Sequence, residues 1–190
     1  MAHQVKTVQN KRAASGFTLI ELLIGLAIMV IVLAMGMPSY GTWVQNTKLR
    51  NAAESFTNGL QLARANAVKR NSNVSFTLGV DSAWTVQCAG PVFTIACPVG
   101  NIESRATLEG SSDAVNVASA SGTVFVFNSL GQLTAPVPVA PLTFIEIAVT
   151  NELTSGSRPL NVRVGIGGDV TMCDPSLAAA SDARACGSTY

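Results

Sequence analysis

The stretch that decides the fold is FTLIELLIGLAIMVIVLAMGM, which runs from Phe17 to Met37. As an α-helix, these residues would be about 31 Å long, enough to cross the hydrocarbon core of a bilayer. The residues before this run include Lys6, Lys11 and Arg12 and no acidic residue. By the positive-inside rule we expect the N-terminus in the cytoplasm and the rest of the chain on the far side of the membrane.

One residue in this run, Glu21, does not suit a simple anchor. An ionised carboxylate among apolar side chains costs several kcal/mol unless something pairs with it. Cleavage after Gly16 would create an α-amine on Phe17, within one helical turn of Glu21. In a neighbouring subunit displaced along the helix axis, Glu21 could meet that amine, and the ion pair would fix the register between helices.

Three other interpretations explain less of the pattern. A signal peptide has a shorter apolar core followed by a small-x-small cleavage site. A single-pass anchor explains the length and the basic flank but not Glu21. An internal core helix explains neither the basic flank nor the length of the apolar run.

The chain beyond the apolar run has the composition of a β-rich exported domain, with many Ser, Thr, Asn, Val, Ala and Gly residues. Three of the 12 basic residues precede Phe17, so 9 basic residues face 11 acidic ones after cleavage, a balance of −2. Proteins that hold nucleic acid by its phosphates usually show a basic surplus, so this balance argues against that class.

The four cysteines, Cys88, Cys97, Cys173 and Cys186, form two sequence-local pairs. Three disulfide connectivities are possible, and we favour Cys88–Cys97 with Cys173–Cys186 in an oxidising compartment. A metal site is the weaker interpretation, because the chain has no Cys-x-x-Cys and its one histidine, His3, precedes the apolar run. We therefore expect neither a metal nor a cofactor.

A second helical pattern follows the membrane run and ends near residues 69–71, where Asn71-Ser72-Asn73 breaks the period. Gly59 lies within this pattern, and its low helix propensity should reduce the stability of the helix by up to about 1 kcal/mol relative to Ala. Apolar residues recur at steps of three and four along this second helical segment and form a stripe on one face, which we expect to pack against a sheet. The stripe consists of Leu49, Ala53, Phe56, Leu60, Ala63 and Ala67.

Alternating or β-branched runs predict strands in the remainder of the chain. They cover residues 74–79, 84–88, 92–97, 123–128, 143–149, 160–166 and 169–173. Residues 109–122 are rich in Ser and Ala and predict a surface loop, and residues 135–141 predict a proline-rich connector. One long helix followed by these strands indicates an α+β fold with the helix packed on an antiparallel sheet.

The string SGFTLIELL, residues 15–23, resembles the processing and assembly motif of type IV pilins and type II secretion pseudopilins. This resemblance implies that a prepilin peptidase cuts between Gly16 and Phe17, that Phe17 is then N-methylated, and that Glu21 is the assembly glutamate. It also implies a helix kink at Pro38, because proline has no backbone N–H to donate to the preceding turn of the helix.

The same resemblance divides the chain into four parts. These are a leader at 1–16, a transmembrane and polymerisation helix at 17–40, its amphipathic continuation at 41–71, and an exported head at 72–190. It implies a subunit held in the bacterial inner membrane, with its head in the periplasm, before it joins other pilin or pseudopilin subunits in a fibre.

A narrower resemblance, to the GspH/FimT family, covers LARANAVKRNSNVSF at 62–76, VFNSLGQL at 126–133 and the end of the chain at 160–173. It implies a pilin-like α+β fold. It also implies a minor pilin that helps to initiate or cap a type IV pilus, with a GspH-like pseudopilin of a type II secretion system as the alternative.

Some FimT proteins take up DNA through a C-terminal Gly-Arg-x-Arg element. Here the corresponding stretch begins Gly167-Gly168, Asp169 replaces the first arginine and Thr171 stands at the second. Arg158 and Arg163 lie nearby, but two isolated arginines are typical of a solvated sheet. DNA is therefore the disfavoured partner.

The sequence gives little support to catalysis. No histidine follows the leader, which leaves out Ser-His and Cys-His pairs. Asp113, Glu146 and Asp169 are scattered, so no catalytic residue is predicted. Asp169 and Asp174 flank Cys173 and could contribute to a Ca²⁺ site, with two ordinary loop acids as the simpler interpretation.

Overall fold

The computed structural model describes residues 16–90, 97, 100–107, 115–138, 144–150, 156–178 and 182–186, and only the backbone at 37–39. The leader at 1–15, the strand predicted at 92–96, Asp113 and residues 139–141 of the connector lie outside the described residues. The chain forms two compact units that divide between Tyr40 and Gly41.

The helix α1 spans Leu19–Arg70 and supplies residues to both units. In the first unit, the segment Leu19–Gly36, here called the apolar stretch, is long and apolar enough to cross a membrane, and none of it is buried.

The C-terminal end of α1 lies near residues 69–71, as predicted, and it forms a Schellman motif. The N–H of Ser72 donates to Ala67 O and that of Asn71 to Val68 O, both at 3.2 Å, while Asn71 takes a φ of 47°.

In the second unit, one face of α1 is fully buried. The predicted stripe is confirmed, and Ala52 joins it. These side chains belong to one core shared with strands of both sheets described below, so the helix covers the sheets rather than standing apart from them. We call this set the buried stripe: Leu49, Ala52, Ala53, Phe56, Leu60, Ala63 and Ala67.

Among the described residues, nine strands follow α1. They are β1 Val74–Leu78, β2 Trp84–Cys88, β3 Asn101–Arg105, β4 Asn116–Ser119, β5 Val124–Phe127, β6 Leu133–Ala135, β7 Phe144–Thr150, β8 Leu160–Gly165 and β9 Val170–Cys173. They form two sheets, one in the order β3-β2-β1-β5-β6 and one in the order β4-β7-β8-β9, and all pairs are antiparallel. The α+β prediction is confirmed, although the chain forms two sheets where one was expected.

Three strands were missed by the sequence analysis. β3 follows the turn predicted at Gly100, β4 lies inside the loop predicted at 109–122, and β6 ends where the proline-rich connector begins. The loop prediction is therefore wrong over Asn116–Ser119. All three are edge strands. The side chains of β3 and β4 are half-buried or exposed, and Leu133 is the one buried side chain of the three-residue β6, so none shows the apolar alternation that reveals a strand.

The helix and the larger sheet lie close together at Gly59. A Cβ built there would lie 2.6 Å from Phe76 Cε2 and 3.1 Å from ring atoms of Trp84. Trp84 also donates its indole N–H to Ser55 Oγ at 2.8 Å, within the core. Contrary to the expectation from helix propensity, alanine at position 59 would therefore crowd the aromatic side chains.

One side chain of α1 joins the two sheets. Arg64 Nε donates to Gly131 O at 3.1 Å, in the turn between β5 and β6, and Nη2 donates to Gly167 O at 3.3 Å, in the turn between β8 and β9. The turns approach so closely that a Cβ on Gly168, which has a φ of +80°, would overlap Gly131 O. The guanidinium thus fixes the ends of both sheets against the helix.

Candidate functional site

The predicted processing and assembly residues lie at the start of α1. Gly16 and Phe17 precede the helix and are exposed. Thr18 caps it: the Glu21 N–H donates to Thr18 Oγ1 at 3.3 Å, and the Leu22 N–H donates to Thr18 O at 3.2 Å. An N-cap threonine followed three residues later by glutamate is the pattern of a capping box.

Glu21 therefore occupies a position that the helix itself favours. A carboxylate in the first turn interacts well with the partial positive charge at a helix N-terminus. The sequence analysis considered only a partner from another subunit and missed this contribution, although Thr18-x-x-Glu21 is readable from the sequence. Glu21 is exposed, so its carboxylate remains accessible to a cationic partner.

The apolar stretch forms this end of α1, and its side chains are exposed on every face. In water such a surface is strongly unfavourable, at roughly 25 cal/mol per Å² of apolar area. By its length and composition the stretch suits the interior of a membrane. Its larger exposed side chains include Leu19, Ile20, Leu22, Leu23, Ile24, Leu26, Ile28, Met29, Val30, Ile31, Val32, Leu33 and Met35.

Position 38 lies inside α1, whose helical backbone continues on both sides of it. The kink at Pro38, the cleavage between Gly16 and Phe17, the methylation of Phe17 and the assembly role of Glu21 stay predictions.

Both favoured cysteine pairs are bonded in the structure. Cys88 at the end of β2 is bonded to Cys97, with their Cα atoms 5.7 Å apart. Cys173 at the end of β9 is bonded to Cys186, with a Cα–Cα distance of 5.0 Å. The second bond ties the C-terminal loop to the edge of the four-stranded sheet.

The acidic residues considered for Ca²⁺ have other roles. Asp174 Oδ1 accepts hydrogen bonds from the N–H and the hydroxyl of Ser176, which caps a turn. The carboxylate of Asp169 lies against Gly165. Among the described residues, one group of three side chains that could bind a metal lies close together: Glu146, Cys173 and Cys186. Its two sulfurs form the disulfide, so they offer no thiolate to a metal.

Arg163 and Arg158 do not form a joint phosphate site. Arg163 Nε donates to Glu146 Oε1 at 2.7 Å, and its guanidinium lies 4.1 Å from the centroid of the Phe144 ring. These contacts hold Arg163 on the face of the sheet. Arg158 is exposed, and its backbone N–H donates to Asn46 Oδ1 at 2.9 Å, which joins the segment before β8 to α1.

Sequence analysis missed a cavity of about 260 Å³ in the second unit, here called the arginine pocket. Its cationic lining residues are Arg50 from α1, Arg158 from the segment before β8 and Arg184 from the C-terminal loop. The others are Asn46, Leu160, Met172, Cys173 and Asp174. Residues this far apart in the chain share no sequence pattern, so no signal could have revealed the pocket.

Two family models match the chain. The model described as type II transport protein GspH matches residues 52–168, more than half of the chain, and that of the prokaryotic N-terminal methylation motif matches residues 11–37. No curated protein matches the chain.

The chain also matches solved structures of two proteins. The type IV minor pilin FimU of Pseudomonas aeruginosa strain PAO1 is 15% identical, with a TM-score of 0.51 over 70% of this chain and 97% of that chain. The minor pseudopilin EpsH from the type 2 secretion system of Vibrio cholerae is 12% identical, with a TM-score of 0.46 over 68% of this chain and 99% of that chain. At such identities the likeness to FimU concerns the fold alone.

Proposed function

Because the chain belongs to the GspH family of type II transport proteins, we propose that it is a minor fibre subunit that helps to start or cap a type IV pilus. The carrying observation is the start of α1. There Thr18 caps the helix by accepting a hydrogen bond from the Glu21 N–H. Glu21 is exposed at the start of an apolar stretch that has no buried side chain. A helix of this kind requires partners from outside its own chain, and other pilin-like helices supply them.

In this proposal, processing creates the partner of Glu21. A prepilin peptidase removes residues 1–16, and the new α-amine on Phe17, kept cationic by N-methylation, pairs with Glu21 of the adjacent subunit. Before assembly, the apolar stretch crosses the inner membrane, with the N-terminus in the cytoplasm and the head in the periplasm. The helix kink at Pro38 belongs to the same proposal.

The second candidate is a pseudopilin of a type II secretion system, which the description of the matching family favours. Deletion of the gene separates the two candidates. Loss of sheared surface fibres with normal protein secretion supports the pilus, and the reverse supports secretion. DNA is not the proposed partner, because Asp169 and Thr171 stand where the arginines of an uptake element would lie.

The assembly role of Glu21 is tested with three variants of the full chain. Glu21→Ala and Glu21→Gln should both insert in the membrane and be recovered poorly in sheared fibres, since both lack the charge. Thr18→Ala weakens the helix cap by about 1 kcal/mol but keeps the charge, so its recovery should stay near that of the wild type.

The Glu21→Gln variant separates the two roles of this residue. Glutamine suits the third position of a capping box as glutamate does. Normal fibre recovery of Glu21→Gln together with failure of Thr18→Ala would reduce Glu21 to a capping residue and remove the ion pair from the proposal.

A further inference from the structure

The arginine pocket gathers three of the nine basic residues that follow the leader into a single cavity. Asp174 also lines it, and Arg50 and Arg184 have acidic partners outside the lining, Glu54 and Asp182. Arg158 is the lining cation for which the described part of the chain shows no ion pair, so the pocket suits a ligand of opposite charge.

The backbone around each arginine is fixed. Arg50 lies within α1, and the N–H of Arg158 is held by Asn46 Oδ1. The carbonyl of Arg184 accepts a hydrogen bond from the Asp174 N–H at 2.7 Å, and Cys186, two residues later, is bonded to Cys173. The backbone that carries the three arginines is therefore held in place by the protein itself, which lowers the entropy cost of binding.

The guanidinium groups retain donors for a ligand. Each has five N–H groups. Arg50 uses one on Glu54, at 2.8 Å, and Arg184 uses two on Asp182. Both arginines are well exposed, and exposed ion pairs add little stability, so their remaining donors can turn toward a ligand. Within the described part of the chain, Arg158 forms no ion pair.

The rest of the lining selects the type of ligand. Leu160, Met172 and Cys173 give the pocket an apolar part. A volume of about 260 Å³ lies just below the roughly 300 Å³ at which sites for drug-sized ligands begin. It suits a single anionic group with a few carbon atoms behind it.

We propose that the arginine pocket binds a carboxylate on a short aliphatic stem. The planar fork of a guanidinium matches the two oxygens of a carboxylate, and the apolar side chains contact the stem. The carboxylate belongs to a free organic acid or to an acidic side chain of a neighbouring subunit, and both present the same chemistry.

Butyrate is the probe, titrated by calorimetry against the full-length protein in a non-ionic detergent. Arg158→Gln should weaken butyrate binding about tenfold or more, the effect of losing a hydrogen bond to a charged group. The matched control is Lys69→Gln, which removes the same charge from an exposed site outside the pocket and should change the affinity less than twofold. Methyl butyrate, the neutral ester, should not bind.

Three results would overturn the proposal. They are undetectable butyrate binding to the wild type, equal butyrate affinity of Arg158→Gln and the wild type, and inorganic phosphate binding as tightly as butyrate. The last result would mark a general anion site without selection for the stem.

The source of the carboxylate is tested in fibres, and this part rests on the proposed function. If recovery of Arg158→Gln in sheared fibres falls while that of Lys69→Gln does not, the carboxylate belongs to a neighbouring subunit. If recovery is unchanged while butyrate binding is weakened, the ligand is a free acid. The calorimetric test does not require assembly, so failure of the fibre proposal would leave it intact.

Discussion

The apolar stretch and the buried stripe lie on the same helix and contain the same kinds of side chain, but their surroundings differ. Leu26 in the apolar stretch is 52% exposed, whereas Phe56 in the buried stripe is fully buried. Apart from Glu21, the apolar stretch has apolar side chains on all faces, and the buried stripe occupies one face only. The first pattern requires an environment supplied from outside the chain, and the second is satisfied by the chain's own sheets.

The largest expected effect comes from truncation within the buried stripe. Phe56→Ala should lower the free energy of unfolding by about 3–5 kcal/mol, because it leaves a cavity in the shared core. Leu26→Ala, the matched change in the apolar stretch, should leave head stability unchanged. Urea unfolding of the full-length protein in detergent, followed by tryptophan fluorescence, gives both values. A comparable loss for Leu26→Ala would show that the apolar stretch packs within its own chain.

The buried hydrogen bond between Trp84 and Ser55 should have the next largest effect. Ser55→Ala leaves the indole N–H without its partner in the core and should cost about 1–3 kcal/mol in the same unfolding assay. A double-mutant cycle with Trp84→Phe isolates the interaction. Strict additivity of the two changes would mean that this hydrogen bond does not stabilise the head.

Two of the glycines of α1, Gly59 and Gly25, provide a direct comparison of the two regions. Gly59→Ala crowds Phe76, and the net loss should be about 1–2 kcal/mol after the gain in helix propensity. A Cβ at Gly25, in the apolar stretch, meets nothing within 4 Å, so Gly25→Ala should leave the stability of the head unchanged. A rise in stability for Gly59→Ala would contradict the close packing seen here.

The smallest expected effect concerns a surface charge pair. Hydrogen bonds from the side chain and backbone of Arg184 lower the pKa of Asp182 from 3.8 to about 2. A lowered pKa means that the pair stabilises the folded state above pH 4 and that this contribution disappears as the pH falls toward 2. In Arg184→Gln, which removes the guanidinium but keeps the backbone N–H, NMR titration of the Asp182 carboxyl carbon should show a pKa raised from about 2 toward 3.8. An unchanged pKa would assign the shift to another cause.

The strands that sequence analysis found and missed differ in position within the sheets. Of the predicted strands, β1, β2, β5, β7 and β8 are interior strands, whose buried side chains alternate or run continuously, and β9 lies at an edge. The missed strands β3, β4 and β6 lie at sheet edges, where solvent allows polar residues. A single sequence shows which segments must be buried, and edge strands are held mainly by pairing with a neighbour.

The same distinction applies to the candidate sites. The features from Gly16 to Glu21 lie within six consecutive residues, and the cap that Thr18 gives to the helix links residues three apart. The arginine pocket instead requires α1, the segment before β8 and the C-terminal loop to converge. No local pattern anticipates that convergence.

The sequence by itself determined the apolar stretch, its exposed glutamate, the buried stripe and the pairs of cysteines close enough in the chain to bond. These features depend on side chain type and on spacings of a few residues. The regular geometry of a helix or a strand places residues at such spacings on one face. Only the tertiary structure decided the division into two sheets, the requirement for glycine at position 59, the Arg64 bridge and the arginine pocket. Each of these results from contact between segments far apart in the chain, and packing of the whole core sets their distances.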